Sequence, residues 1–237
     1  DNIAIGYSAM SADNAGGTTN IAIGNYSLDA LTSGDDNVAI GHDALTTLTT
    51  GLRNTAVGKD ALKLTTTANN NTAIGDRAMD ANTTGADNSA LGSHALGGNT
   101  TGTGNVGLGY GALFDHTTGN DNTAIGRNAA ANNTTAANNT AVGSQALLTN
   151  TTGANNTAVG KDALKANTTA SNNTAVGSYA LIANTTGAGN TAVGNDSMDS
   201  NTTGANNTAI GIDSLQANTT ADLSTAVGYK ALEDNVG

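Results

Sequence analysis

The hydrophobic positions of this chain recur neither every second residue nor every three or four, but every seventeen. The string Asn-Thr-Ala-(Ile/Val)-Gly returns fourteen times in 237 residues, and its glycines are Gly6, Gly24, Gly41 and then every seventeenth residue to Gly228, after one first step of 18. A fixed short period of this kind predicts a solenoid, in which each coil buries its apolar positions against the coils before and after it. Numbering each coil from its glycine as zero, position −1 is Ile, Val or Leu throughout, and position −2 is Ala everywhere except Gly107. Position −3 is β-branched except at Ser89, −4 is Asn until Ser224 replaces it, and +4 is Leu or Met apart from Ala130.

Each column carries a structural expectation. Residues −3 to −1 read as a short strand, whose side chains alternate, so −3 and −1 point one way while −4 and −2 point the other. Taking the larger aliphatics as the interior makes Val142, Val159 and Val176, with Leu147, Leu164 and Leu181 at +4, the expected core. The Ala column, represented by Ala141, Ala158, Ala175 and Ala192, then forms a small apolar stripe on the outside, which reads as a contact surface between copies of the chain. Asn139, Asn156, Asn173 and Asn190 are expected to stack as an amide ladder along the coil axis. The glycine at zero supplies a bend or a positive φ, and Asp or Asn at −5 forms a turn. The stretch from +1 to +6 is too short for a helix and is expected to form a second strand or a 3₁₀ turn anchored by residues such as Leu164. The extra residue near Ala15-Gly16-Gly17 predicts a bulge in the first coil. The whole chain, 1–237, thus reads as one continuous all-β repeat domain of about fourteen coils, entered and left without a cap, as expected of a segment of a longer fibre.

Composition explains why only a repeat could fold. Ala (42), Thr (39), Asn (34) and Gly (31) make up about three-fifths of the chain, while Leu, Ile, Val and Phe number 38, below the ~20 % at which composition alone suggests disorder. The absence of Cys excludes disulfides and Cys-ligated metals. Nineteen acidic against eight scattered basic residues, a net charge of −11, argue against nucleic acid and anionic membrane as partners. No window of ~18 apolar residues and no basic leader segment is visible.

The motifs written in full are Asp36-Asn37-Val38-Ala39-Ile40-Gly41 and Asn155-Asn156-Thr157-Ala158-Val159-Gly160. They resemble the Asn-Ser-Val-Ala-Ile-Gly head repeat of YadA-like trimeric autotransporter adhesins, and the longer Asn-Thr-Ala-Ile-Gly repeats of some phage-type tail fibres and large secreted bacterial proteins. The resemblance covers the whole chain and implies a left-handed parallel β-roll, assembled as a homotrimer and located outside the cell or on a virion. The 17-residue coil and Thr at −3 in nine coils depart from the adhesin pattern.

Chemistry is sparse. His42, His94 and His116 fall in the +1, +2 and +7 columns, so they share no column as metal ligands would, and they read as surface residues. Asp43 and Asp60 share column +2 in successive coils, as do Asp196 and Asp213, the spacing of a retaining carboxylate pair; Arg77 breaks the column. Gly102-Thr103-Gly104 lacks the helix a phosphate loop needs. Thr-Thr at +8 and +9 gives one outward Thr rank and completes sequons such as Asn82-Thr83-Thr84, beside Asn70-Asn71-Thr72. The expectation is therefore a non-enzymatic adhesive or structural fibre segment with no cofactor and no metal, whose partners are copies of itself and a host-surface or matrix ligand. The alternatives are an ice-binding solenoid using Thr ranks and a tailspike-type polysaccharide depolymerase.

Overall fold

The structure, a computed structural model, describes residues 1–12 and 16–236. The chain divides into two compact units, Asp1–Asn120 and Asp121–Gly237. The first carries strands β1 (Ile3–Ile5), β2 (Ile21–Ile23), β3 (Val38–Ile40), β4 (Thr55–Val57), β5 (Thr72–Ile74), β6 (Ser89–Leu91) and β7 (Val106–Leu108). The second carries β8 (Thr123–Ile125), β9 (Thr140–Val142), β10 (Thr157–Val159), β11 (Thr174–Val176), β12 (Thr191–Val193), β13 (Thr208–Ile210) and β14 (Thr225–Val227). Within each unit successive strands pair in parallel with equivalent residues opposite one another, as Ala141 is opposite Ala158 and Ala158 opposite Ala175. Each unit is a parallel β-solenoid with one three-residue strand per coil, and the described residues contain no helix. The bulge expected near Ala15-Gly16-Gly17 reaches into residues 13–15 and lies outside the described residues.

The column of glycines fixes the coil spacing. Gly160 has φ +136°, and a Cβ built on it would stand 2.3 Å from the carbonyl oxygen of Gly177 in the next coil. No L-residue fits there. The stretch from +1 to +6 is neither a strand nor a 3₁₀ turn. It makes two successive tight turns, closed by Ala163 N–H to Gly160 O (3.4 Å) and Asn167 N–H to Leu164 O (3.3 Å). Positions +2 and +4 hold left-handed φ values, 55° at Asp162 and 53° at Leu164, and a 3₁₀ turn needs negative φ throughout. Intervening N–H groups turn outward along the axis instead, as Leu164 N–H does to Ala180 O at 2.9 Å. Position −5 is left-handed too, with Asn155 at 59° and Asp87 at 60°, which accounts for its Asx residues and for Gly104 and Gly189.

The interior is the opposite of the one expected from side-chain size. Ala141, Ala158, Ala175 and Ala192 are fully buried, whereas Val176 is 36 % exposed, Ile40 37 % and Leu91 46 %, with Val142 and Val159 half-buried. The strand alternates as expected, but its Ala face looks inward and its Ile/Val face outward. Leu147, Leu164 and Leu181 are fully buried, and they supply the reason. At Gly107, which lacks the Cβ of its column, a built Cβ would lie 3.2 Å from Leu96 Cγ and 3.3 Å from Ala112 O. The strand and the +4 leucine approach so closely that only a methyl group fits between them. The coil is therefore thin, filled in most turns by one large aliphatic at +4 together with small residues at −2 and +3, and by asparagine amides over most of the rest, with Leu31 and Leu48 adding a second leucine in two early coils.

Candidate functional site

A column of asparagine at −4 runs through each unit, and a second, at +7, begins at Asn82, the three coils before it having Leu31, Leu48 and Thr65 there. Asn139, Asn156, Asn173 and Asn190 are buried at −4, and each Oδ1 accepts the backbone N–H of the next, Asn156 N–H to Asn139 at 2.9 Å and Asn173 N–H to Asn156 at 3.0 Å. Each Nδ2 crosses its own coil to the carbonyl at +10, as Asn156 does to Ala170 O at 2.9 Å. The second column, at +7, was not anticipated. Asn150, Asn167, Asn184 and Asn201 are buried, and each later Nδ2 donates to the Oδ1 before it, at 2.8, 3.1 and 2.9 Å in turn. They also donate to the same +10 carbonyls, Asn167 to Ala170 O at 3.0 Å. His116 belongs to this column and corrects its reading as a surface residue: it is fully buried, with Nε2 2.8 Å from Gly119 O in the place of the amide. Its neighbours in the column, Asn99 and Asn133, were the available signal.

These polar side chains hold the coil shut and are closed to ligands. Asn82 is fully buried, so its sequon is inaccessible in the folded chain, whereas Asn70 is exposed and donates to Asp87 at 2.9 Å. The +8 threonines spend their hydroxyls on the next coil, Thr151 on Thr168 O at 3.0 Å and Thr168 on Thr185 O at 3.2 Å.

The surface that remains open is the outer strand face. In the second unit it consists of Thr123, Thr140, Thr157, Thr174, Thr191, Thr208 and Thr225 in one rank and the adjoining Ile or Val at −1 in the other, all in register. In the first unit the same two ranks begin as Ile3 and Ile5, Ile21 and Ile23, Val38 and Ile40. No charged residue stands in either rank. Seven strands at ~4.8 Å spacing, with ranks ~7 Å apart, give an uncharged strip on the order of 300 Å² per unit, aliphatic along its −1 rank. Ser89, Leu91, Val106 and Leu108 shape a shallow apolar depression of about 90 Å³ in it.

The carboxylate pair stands in another setting. Lys63 Nζ lies 3.0 Å from Asp43 Oδ2 and 2.9 Å from Asp60 Oδ1, bridging the two. Burial alone would push the Asp60 carboxyl up, but the hydrogen bond and charge of Lys63, with Lys59 and Arg77 behind it, hold it below its ordinary value. His42 Nδ1 is 3.3 Å from Asp43, and His42, Asp43 and Asp60 each bring a ligand atom within 4.8 Å of the others. This grouping of one histidine with two carboxylates escaped a reading that compared histidines only with each other. Asp196 has no such lysine: burial, then the charges of Asp199 and Asp213, push its carboxyl up.

Comparisons with protein-family models, with curated proteins and with solved structures return no match.

Proposed function

We propose that this chain is a non-enzymatic structural and adhesive segment of an extracellular fibre, a surface-adhesin head or shaft or a virion tail fibre, assembled as a homotrimer. The observation that carries the reading is the outer strand face, two uncharged ranks left open in both units, aliphatic at −1 throughout and β-branched at −3 except at Ser89. The aliphatic −1 rank runs through every coil, which suits contact with another copy of the same face. The interface is thus assigned to the −1 and −3 columns and not to the alanines, which are interior. The resemblance to YadA-like head repeats supports three copies and an extracellular site, and the net charge of −11 suits a solvated exterior.

Light scattering on the eluting protein tests this directly. The wild type is expected at three times the chain mass at tens of micromolar, and the combined change Val142→Lys, Val159→Lys and Val176→Lys is expected to give a folded monomer. A wild-type monomer, or a triple variant that remains trimeric, overturns the proposal.

A second reading, ice binding, draws on one specific observation: all seven −3 residues of the second unit are Thr, in register and flanked by Val or Ile. Thermal hysteresis and faceted ice growth at micromolar protein would establish it, and Thr157→Lys with Thr174→Lys should then abolish both.

A further inference from the structure

The repeat is interrupted on the side of the first unit away from its strands. Columns +5 and +6 normally carry side chains that cover the turn, Asp80 and Ala81 in one coil and Phe114 and Asp115 two coils later, but the coil between them has Gly97 and Gly98. Two missing side chains open a cleft of about 340 Å³. Its floor is the Gly97-Gly98 backbone, and its walls, rooted in the coils before and after, approach to within about 7 Å at Phe114 Cδ2 and Asp80 Oδ1, since one point above the floor lies 3.5 and 3.6 Å from them. One wall is the ring of Phe114, the chain's single phenylalanine, 43 % exposed. The other is the half-buried carboxyl of Asp80, with Arg77 and Asp115 at the rim. His94, part-exposed and itself lining the cleft, packs edge-to-face on Phe114 with ring centroids 5.8 Å apart and buttresses it. A Cβ on Gly97 would sit 3.5 Å from Phe114 Cδ2 and 3.6 Å from Asp80 Oδ1, between the two walls.

We propose that this cleft is a binding site for a single pyranose ring of a neutral glycan. The chemistry of the lining selects that class. An exposed aromatic face without an apolar enclosure suits the C–H face of a sugar better than a fully apolar ligand. Two carboxylates and one guanidinium around the same opening offer acceptors and donors together, as a polyol requires, and the one excess negative charge is what the choline control tests. Burial pushes the Asp80 carboxyl up, offset in part by the charges of His94 and Arg77, so this acceptor gains from a hydroxyl donor. The site lies within one unit and stands whether or not the chains trimerise.

The test is saturation-transfer difference NMR on the full chain, with methyl β-galactopyranoside, methyl β-glucopyranoside and methyl N-acetyl-β-glucosaminide as probes and choline as a cationic control. Transfer to the ring C–H protons of at least one glycoside is expected. Phe114→Ala should weaken that binding roughly five- to tenfold through loss of the stacking contact, and Gly97→Leu, which fills the cleft from its floor, should abolish it. Circular dichroism identifies either variant that has lost its fold, and the other then decides. No transfer to any of the three glycosides, transfer unchanged in the folded variants, or saturation of choline alone overturns the proposal.

Discussion

Replacing Asn156 tests the claim that buried amides, more than hydrocarbon, hold the coil closed. The side chain is fully buried and makes two bonds that nothing else can replace in kind: it accepts Asn173 N–H at 3.0 Å and donates to Ala170 O at 2.9 Å. Ala170 O keeps a second donor in Asn167, but Asn173 N–H has no other acceptor. In Asn156→Ala, one buried N–H is orphaned at about 1–3 kcal/mol and one further bond of about 1 kcal/mol is lost, so destabilisation of about 2–4 kcal/mol is expected. Asn156→Asp keeps the acceptor and sets an oxygen against Ala170 O. Burial and that contact raise the folded-state pKa of the new carboxyl. Its ionisation penalty is therefore absent below the unfolded value near ~3.9, grows as pH rises, and is full above the folded pKa. Urea unfolding followed by circular dichroism, at several pH values and relative to wild type, measures both. Thr152→Ala, an exposed site in the neighbouring turn, should stay within about 0.5 kcal/mol of wild type. If Asn156→Ala costs no more than Thr152→Ala, or if the deficit of Asn156→Asp does not shrink on acidification, the amide columns are passengers and the reasoning fails.

Gly160→Ala should cost at least about 2–3 kcal/mol in the same assay, because its Cβ meets Gly177 O at 2.3 Å in a left-handed backbone. Ala158→Val, overpacked against the +4 leucine, should cost about 1–3 kcal/mol, whereas Val159→Ala on the open face should cost under about 1 kcal/mol; the reverse order would restore the interior expected from side-chain size. Lys63→Met should destabilise by about 1 kcal/mol or less between pH 5 and 9. Since Asp60 is held low, that difference should vanish as pH falls through its folded pKa. Since its bonds to Asp60 and then Asp43 hold Lys63 high, it should vanish again as pH rises through the folded pKa of the lysine.

The period, the register and the glycine column were legible because each is a spacing. Which strand face turns inward was not, since alternation defines two sets of residues and leaves their sides open. The deciding signal was uniformity of size: position −2 is almost always Ala, while −1 drifts among Ile, Val and Leu and −3 among Thr, Val, Ile and Ser. A confined site tolerates one volume, and an open one tolerates many. His116 was misplaced for want of reading its column, and the +7 asparagines were seen only as sequons. The Phe114 cleft depends on what is missing at Gly97 and Gly98, and nothing in a list of present motifs marks such a place.

The −4 amides also have a direction. Each Oδ1 accepts from the coil that follows it in the chain, and each Nδ2 reaches a carbonyl fourteen residues further on. A completed coil therefore presents a ready acceptor toward its C-terminal neighbour. The column is therefore polar, its amide oxygens facing the C-terminal coil at each step. At Ser224, whose N–H donates to Asn207 Oδ1 at 2.8 Å, a hydroxyl stands where every other coil of this chain has the amide.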